Sequence, residues 1–197
     1  MAPVGDPVRY GIVTNLAHPG GNITGVMLYR SELGGKRVEV LKEVLPAIAR
    51  LGALGNAANP ATRFWWEETQ LAAQALGLEP ALFTVQEPNE LTAAFATMRR
   101  NGADAVVVET DGMLISAQRQ ITTLAIEHHL PSIHEMREFA QDGGLISYGP
   151  SATEMIRRSA TFVDKILKGV KPADLPIEQP KRFELVSHRA ETEGAQF

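Results

Sequence analysis

The residues of this chain that could do chemistry fall just after short apolar runs. Asn56 and Asn59 follow Leu51–Leu54, Asp111 follows Ala105–Glu109, His134 and Glu135 close Ser132–His134, and Tyr148 closes Leu145–Tyr148. If each run is a parallel strand, all six residues share one sheet edge, the carboxyl edge at which open α/β sheets take ligands. Two amides, two carboxylates, an imidazole and a phenol around one crevice suit a small polar ligand. Loops are polar in any case, so the convergence argues for a site and no single member does. Glu109, Asp111 and Glu135 are also of the right type for an acid–base pair, but no spacing fixes their separation. G-x-S-x-G, H-E-x-x-H, Walker and G-x-G-x-x-G patterns are absent, so no catalytic residue and no cofactor is expected. His128 and His129 are neighbours and point to different faces, which suits a helix end better than a metal, and no metal is expected. The chain has no cysteine, which excludes thiol catalysis, disulfides and thiolate metal sites. Trp65 and Trp66 cannot both face one core, and a half-buried packing pair is the plainer reading.

The elements that must position these residues alternate. Leu51–Leu54, Pro80–Val85, Ala105–Glu109, Ser132–His134 and Leu145–Tyr148 read as strands. Ser31–Leu45, Ala61–Leu76, Glu90–Asn101, Ser116–His129 and Thr153–Lys168 read as helices, and Met136–Gln141 as a helical turn. The pattern predicts an α/β fold with a doubly wound, mainly parallel five-stranded sheet in the order 2-1-3-4-5. Phe183–Val186 is a candidate for one more strand, and Val26–Tyr29 for a short separate one. Ser31 suits the cap of the first helix. Asn59 suits an N-cap and Pro60 a first helical position, which would aim the free N–H groups of that helix at an anionic ligand group. In Thr153–Lys168, the residues Ile156, Ala160, Val163, Ile166 and Leu167 are expected on the inner side. Tyr10–Leu16 fits a strand or a helical turn. The prolines of residues 170–180 predict an extended surface run, and residues 188–197 a polar frayed end.

Composition narrows the class. The chain has 197 residues, 44% hydrophobic and 21% charged, with a net charge of −4 and a pI near 5.8. That balance argues against nucleic acid as a partner. No apolar run approaches the ~20 residues of a membrane span, and residues 1–11 carry no apolar core of a signal peptide.

Four strings carry a family resemblance: GIVTNLAHPGGNITGV, KRVEVLKEVLPAIARLGALGNAANP, HHLPSIHEMREFAQDGGLISYGP and ATFVDKILKGVKPADLPIEQPKRFELV. The chain resembles the periplasmic substrate-binding proteins of ABC transporters, in the group that includes tryptophan- and tyrosine-binding members. The resemblance spans nearly the whole chain. It implies a type I periplasmic-binding fold, with two α/β lobes that close around a ligand by a hinge motion. It implies a non-enzymatic solute-binding component of an importer, an amino acid or similar small organic ligand, an ABC permease as partner and a periplasmic location. Compared with that family, a signal peptide and roughly a hundred residues of a first lobe are missing before Val4–Pro7. On this comparison residues 1–25 are a first-lobe remnant and hinge, 26–148 the second lobe, and 149–197 a hinge return, helix and C-terminal segment. As written, the chain would stay in the cytoplasm. The resemblance carries ligand contact onto Asn56, Asn59, Asp111, His134, Glu135 and Tyr148, although His134-Glu135 stand where members often have a different pair. Two rival readings stay open: a small α/β hydrolase or isomerase using Asp111 and Glu135, and a sensor or regulatory ligand-binding domain. A lobe without its neighbour also predicts a homodimer, packed through Thr153–Lys168 and Tyr10–Leu16.

Overall fold

Short β-branched runs between amphipathic helices fold as their alternation dictates. The computed structural model describes residues 6–27 and 32–187. The expectations for Ser31, for Leu28 and Tyr29 and for residues 188–197 lie outside the described residues. The chain divides into two compact units, Met1–Leu33 with Pro150–Phe183, and Gly34–Gly149 with Glu184–Phe197.

The larger unit is built on the sheet. Its strands are β1 (Arg50–Asn56), β2 (Glu79–Val85), β3 (Ala105–Val108), β4 (Ser132–His134), β5 (Ile146–Pro150) and β6 (Phe183–Ser187), in the spatial order β2-β1-β3-β4-β5-β6. β1 runs parallel to β2 and β3, β3 to β4, and β4 to β5. The expected order 2-1-3-4-5 is therefore present. The sheet has six strands rather than five, because Phe183–Ser187 adds an edge strand beside β5. β1 also outruns its apolar stretch: Gly55 pairs with Thr84 and Asn56 with Val85. Pro80 is the second residue of edge strand β2, a position sheets tolerate.

β3 is buried along its whole length, as a central parallel strand must be. Leu54, Val106 and Val108 enter one core with Phe95 and Met98 of α3 (Leu91–Arg100) and Ile121 and Leu124 of α5 (Gln118–Glu127). The strand alternation turns Ala53 and Val107, both fully buried, to the opposite face. There α2 (Thr62–Ala75) packs on β1 and β2. α1 (Glu32–Val44) approaches it closely, since a Cβ on Gly35 would lie 3.3 Å from the Ala72 Cβ. The expected helix Ser116–His129 corresponds to α5, preceded by a separate short helix α4 (Gly112–Ser116) that was not expected, and α6 (Arg137–Gln141) is a single turn and a half.

The smaller unit contains α7 (Ala152–Leu167) and a 3-10 turn at Pro172–Asp174 within the proline-rich run. Val26 makes a parallel bridge to Glu178 and joins Met155, Phe162 and Leu175 in a small core. Tyr10–Leu16 forms no strand. Its start belongs to a helical turn in which the Tyr10 N–H donates to the Asp6 carbonyl at 3.1 Å. α7 departs from expectation: it buries Met155 and Phe162. Ile156, Val163, Ile166 and Leu167, expected inside, are 65%, 56%, 37% and 82% exposed.

Candidate functional site

The carboxyl ends of β1 and β3 are tied together by one hydrogen-bonded cluster. Asn56 Nδ2 donates to Asp111 Oδ1 and Asn59 Nδ2 to Asp111 Oδ2, each at 3.0 Å. Asp111 also caps α4, accepting from the backbone N–H groups of Met113 at 2.9 Å and Leu114 at 3.3 Å. Four donors thus occupy its two oxygens, and the side chain is fixed before any ligand arrives.

Asn59 departs from its expected role in part. The regular helix begins at Thr62, and Ala61 occupies the cap position with a side chain that cannot accept. Asn59 acts one turn earlier: its Oδ1 takes the Ala61 N–H at 2.9 Å and its carbonyl takes the Thr62 N–H at 3.1 Å. Upstream, the Ala57, Ala58 and Asn59 N–H groups are bonded to the Val85 carbonyl, Asn56 Oδ1 and the Asn56 carbonyl. The N–H groups expected to meet an anion at Ala61 and Thr62 are therefore already used inside the loop.

Glu109 lies beneath this cluster. It is 5% exposed, and its Oε2 accepts from the Asn56 N–H at 3.0 Å and the Thr62 hydroxyl at 2.7 Å. Burial pushes its carboxyl up to about 7, against the pull of those two hydrogen bonds. The same crowding explains Gly55: a Cβ there would sit 2.7 Å from Thr62 Cγ2 and 3.2 Å from Glu109 Oε2.

A second buried network joins β3, β4 and α1. Arg37, with no exposed surface, donates through Nη1 to Glu135 Oε2 at 3.0 Å, and the Thr110 hydroxyl donates to the same oxygen at 2.7 Å. Arg37 Nε and Nη2 and Glu135 Oε1 are buried without hydrogen-bond partners. His134 is 1% exposed, pairs through Nε2 with Ser132 Oγ at 2.8 Å and stacks on Phe139 with ring centroids 4.1 Å apart. Burial first, and the Arg37 charge second, lower its pKa to about 3, so the imidazole is neutral. Gly149 lets the end of β5 pass Glu135: a Cβ on it would collide with the Glu135 carbonyl oxygen. Tyr148, one residue earlier, is half-buried.

All six expected residues thus stand at the carboxyl edge of the sheet. Asn56, Asn59 and Asp111 form one hydrogen-bonded group, and Glu135 belongs to another. Asn59 and Tyr148 keep the most accessible surface, while Asn56, Asp111, His134 and Glu135 are buried. Sequence reasoning missed the organising roles of Arg37, Thr62 and Thr110. Arg37 did leave a signal, because it stands midway between Leu33 and Leu41 on an apolar helical stripe, where an unpaired charge would be costly. His128 closes α5 and stacks near Phe95, and His129 has a φ of 50°. Among the described residues no group of three or more His, Asp or Glu side chains could hold a metal. Trp65 is buried and Trp66 half-buried. Among the described residues no helix is long and apolar enough to cross a membrane.

Comparison with known proteins places this geometry. A family model described as ABC transporter substrate binding protein matches residues 1–193. The tyrosine-binding protein of Clostridioides difficile (strain R20291) is 23% identical over 186 residues, which are 94% of this chain and 53% of that protein. An ABC domain from Streptococcus pneumonia, solved in complex with L-Trp, superposes with a TM-score of 0.85 at 26% identity, covering 95% of this chain and 64% of that one. A conserved domain protein from Vibrio cholerae O1 biovar eltor also gives 0.85, at 24% identity, covering 92% and 60%. The chain therefore spans about half the length of the curated relative and less than two thirds of these two solved structures. Its neighbours have type I periplasmic-binding-like folds, in agreement with the expected α/β class.

Proposed function

This chain belongs to the family of ABC transporter substrate-binding proteins, and from that premise we propose that it binds an amino acid, one with an aromatic side chain, for an ABC importer. The family is one of solute-binding proteins that work outside the cytoplasmic membrane, not one of enzymes. The ligand would lie at the carboxyl edge of the sheet in the larger unit. Asn59 and Tyr148 would touch it, supported from behind by Asn56, Asp111, His134 and Glu135. A complex with L-Trp and a tyrosine-binding protein among the relatives support an aromatic amino acid. The physiological partner would be the importer's permease.

One observation carries the binding reading over the hydrolase or isomerase. Asp111 has its two oxygens taken by four internal donors, and Glu135 is held by Arg37 and Thr110. Both carboxylates are built to hold loops still, which favours a preorganised receptor over a proton-transfer pair. The sensor reading uses the same site and differs only in its partner.

Titration calorimetry with the twenty amino acids tests this proposal. Stoichiometric binding of tryptophan or tyrosine without turnover is the expected result. Asn59→Ala should weaken it by about fivefold or more, the worth of roughly 1 kcal/mol in one hydrogen bond. Binding of no amino acid, or chemical conversion of the bound one, would overturn it.

A further inference from the structure

The Thr62 hydroxyl has more acceptors than hydrogens. Its oxygen lies 2.7 Å from the Asn56 carbonyl and 2.7 Å from Glu109 Oε2. Both are ordinary O–H···O hydrogen-bond lengths. A threonine hydroxyl carries one hydrogen, so it donates to one of these oxygens only. With Glu109 ionised, both neighbours are pure acceptors, and one of the two contacts sets lone pair against lone pair. With Glu109 protonated, both contacts are hydrogen bonds, because Glu109 donates to Thr62 and Thr62 donates to Asn56. Oε2 then still has a lone pair for the Asn56 N–H at 3.0 Å. Asn56, Thr62 and Glu109 are all buried within the larger unit. The geometry alone therefore calls for a proton on Glu109, and burial acts in the same direction.

We propose that Glu109 is a positioning residue for the Asn56–Asn59 loop: protonated, it locks the loop through Thr62 and the Asn56 carbonyl, and ionised, it draws the Thr62 hydroxyl onto itself. On ionisation the proton leaves to solvent, and the Asn56 carbonyl keeps only the Asn59 N–H, at 3.1 Å. The charged groups around Glu109 do not oppose this. Asp111, in the loop after β3, raises the Glu109 carboxyl further. Glu135, after β4, is held by Arg37 of α1 and by Thr110. α2 turns Thr62 and Trp65 inward, with Arg63 and Glu67 exposed and Glu68 half-buried, and β1 brings no charged side chain between Leu51 and Asn56. A ligand touching Asn59 would meet a firmer loop in the protonated form. That consequence rests on the reading of Asn59 as a ligand contact, whereas the relay is measured with no amino acid present, so each can fail without the other.

The experiment is an NMR pH titration of the isotope-labelled chain. The Glu109 carboxyl carbon should titrate with a midpoint near 7. The Asn56 carbonyl carbon and the Asn59 amide proton, which share one hydrogen-bonded oxygen, should shift with the same midpoint. Thr62→Ser, which keeps the hydroxyl, should retain that shared transition. Thr62→Val, which removes only the hydroxyl, should lose most of its amplitude at Asn56 and Asn59 while Glu109 still titrates. Thr62→Ala makes the same deletion without the added methyl, and Glu109→Gln should abolish the transition at all three sites. A Glu109 carboxyl that titrates like a free glutamate would overturn the proposal. So would Asn56 and Asn59 signals that stay flat while Glu109 titrates, or that keep most of their amplitude in Thr62→Val or Thr62→Ala.

Discussion

Replacing Glu109 with glutamine tests the electrostatics beneath the β1–β3 edge. Burial raises the Glu109 carboxyl from 4.5 to about 7 in the folded chain. Between those values the folded protein keeps a proton that the unfolded chain has released. Stability from this group is therefore complete below pH 4.5 and is lost as pH rises to 7, a change of about 3 kcal/mol. His134 acts in the opposite sense. Its pKa falls from 6.5 to about 3 on folding, so its contribution is complete above pH 6.5 and is lost as pH falls toward 3. From pH 4.5 to 6.5 the two slopes, each about 1.4 kcal/mol per pH unit, oppose and nearly cancel. Glu109→Gln keeps an oxygen to accept from Asn56 and Thr62 but no longer titrates. The variant should gain about 3 kcal/mol on the wild type between pH 4.5 and 7, because it lacks the Glu109 loss over that window, and its own profile should rise with the His134 slope alone. The assay is urea unfolding followed by circular dichroism at four pH values spanning that window. Taking the difference between the two proteins cancels every distant titrating group. Profiles that stay parallel to within ~1 kcal/mol across the window would refute the reasoning.

Arg37→Met should cost about 3–5 kcal/mol, because it strands the Glu135 carboxylate in the interior, and Arg37→Met with Glu135→Met should recover most of that loss in the same urea assay. Gly149→Ala should destabilise by at least ~1–3 kcal/mol, since its Cβ would enter the space of the Glu135 carbonyl, and differential scanning calorimetry should show the lowered Tm. Asp111→Ala removes the cap of α4 and both amide anchors. It should cost ~1–2 kcal/mol in stability and weaken amino-acid binding in calorimetry at least as much as Asn59→Ala.

The sheet was legible because its signals are local. Ala105–Val108 is a β-branched run bounded by turns, and the helices between strands leave a parallel, doubly wound order as the economical arrangement. The loops after β1 and β3 were legible for the same reason. What stayed hidden depends on distant neighbours. Arg37 and Glu135 are 98 residues apart, and neither residue type announces that the other will neutralise it inside the fold. Glu109 looked like one more carboxylate until Thr62 and the Asn56 backbone closed over it. On α7, Met155 with Phe162 and Ile156 with Val163 are both apolar pairs seven residues apart. Periodicity finds both faces but cannot say which one the unit covers. Asn59 reads from the sequence as the N-cap of the helix, but an extra turn before Thr62 consumes the N–H groups that role was expected to leave open.

Pro80 bears on how this protein behaves when crowded. β2 ends the sheet, and the Glu79 N–H faces inward, donating to the Ala49 carbonyl at 2.8 Å. In a parallel ladder the next residue's nitrogen faces outward, and here that residue has no N–H to offer. A strand arriving from another molecule would find its first anchoring donor missing, beside the charged and exposed Glu79. The longest open margin of the sheet is thereby protected against runaway strand addition, the event that seeds fibrils.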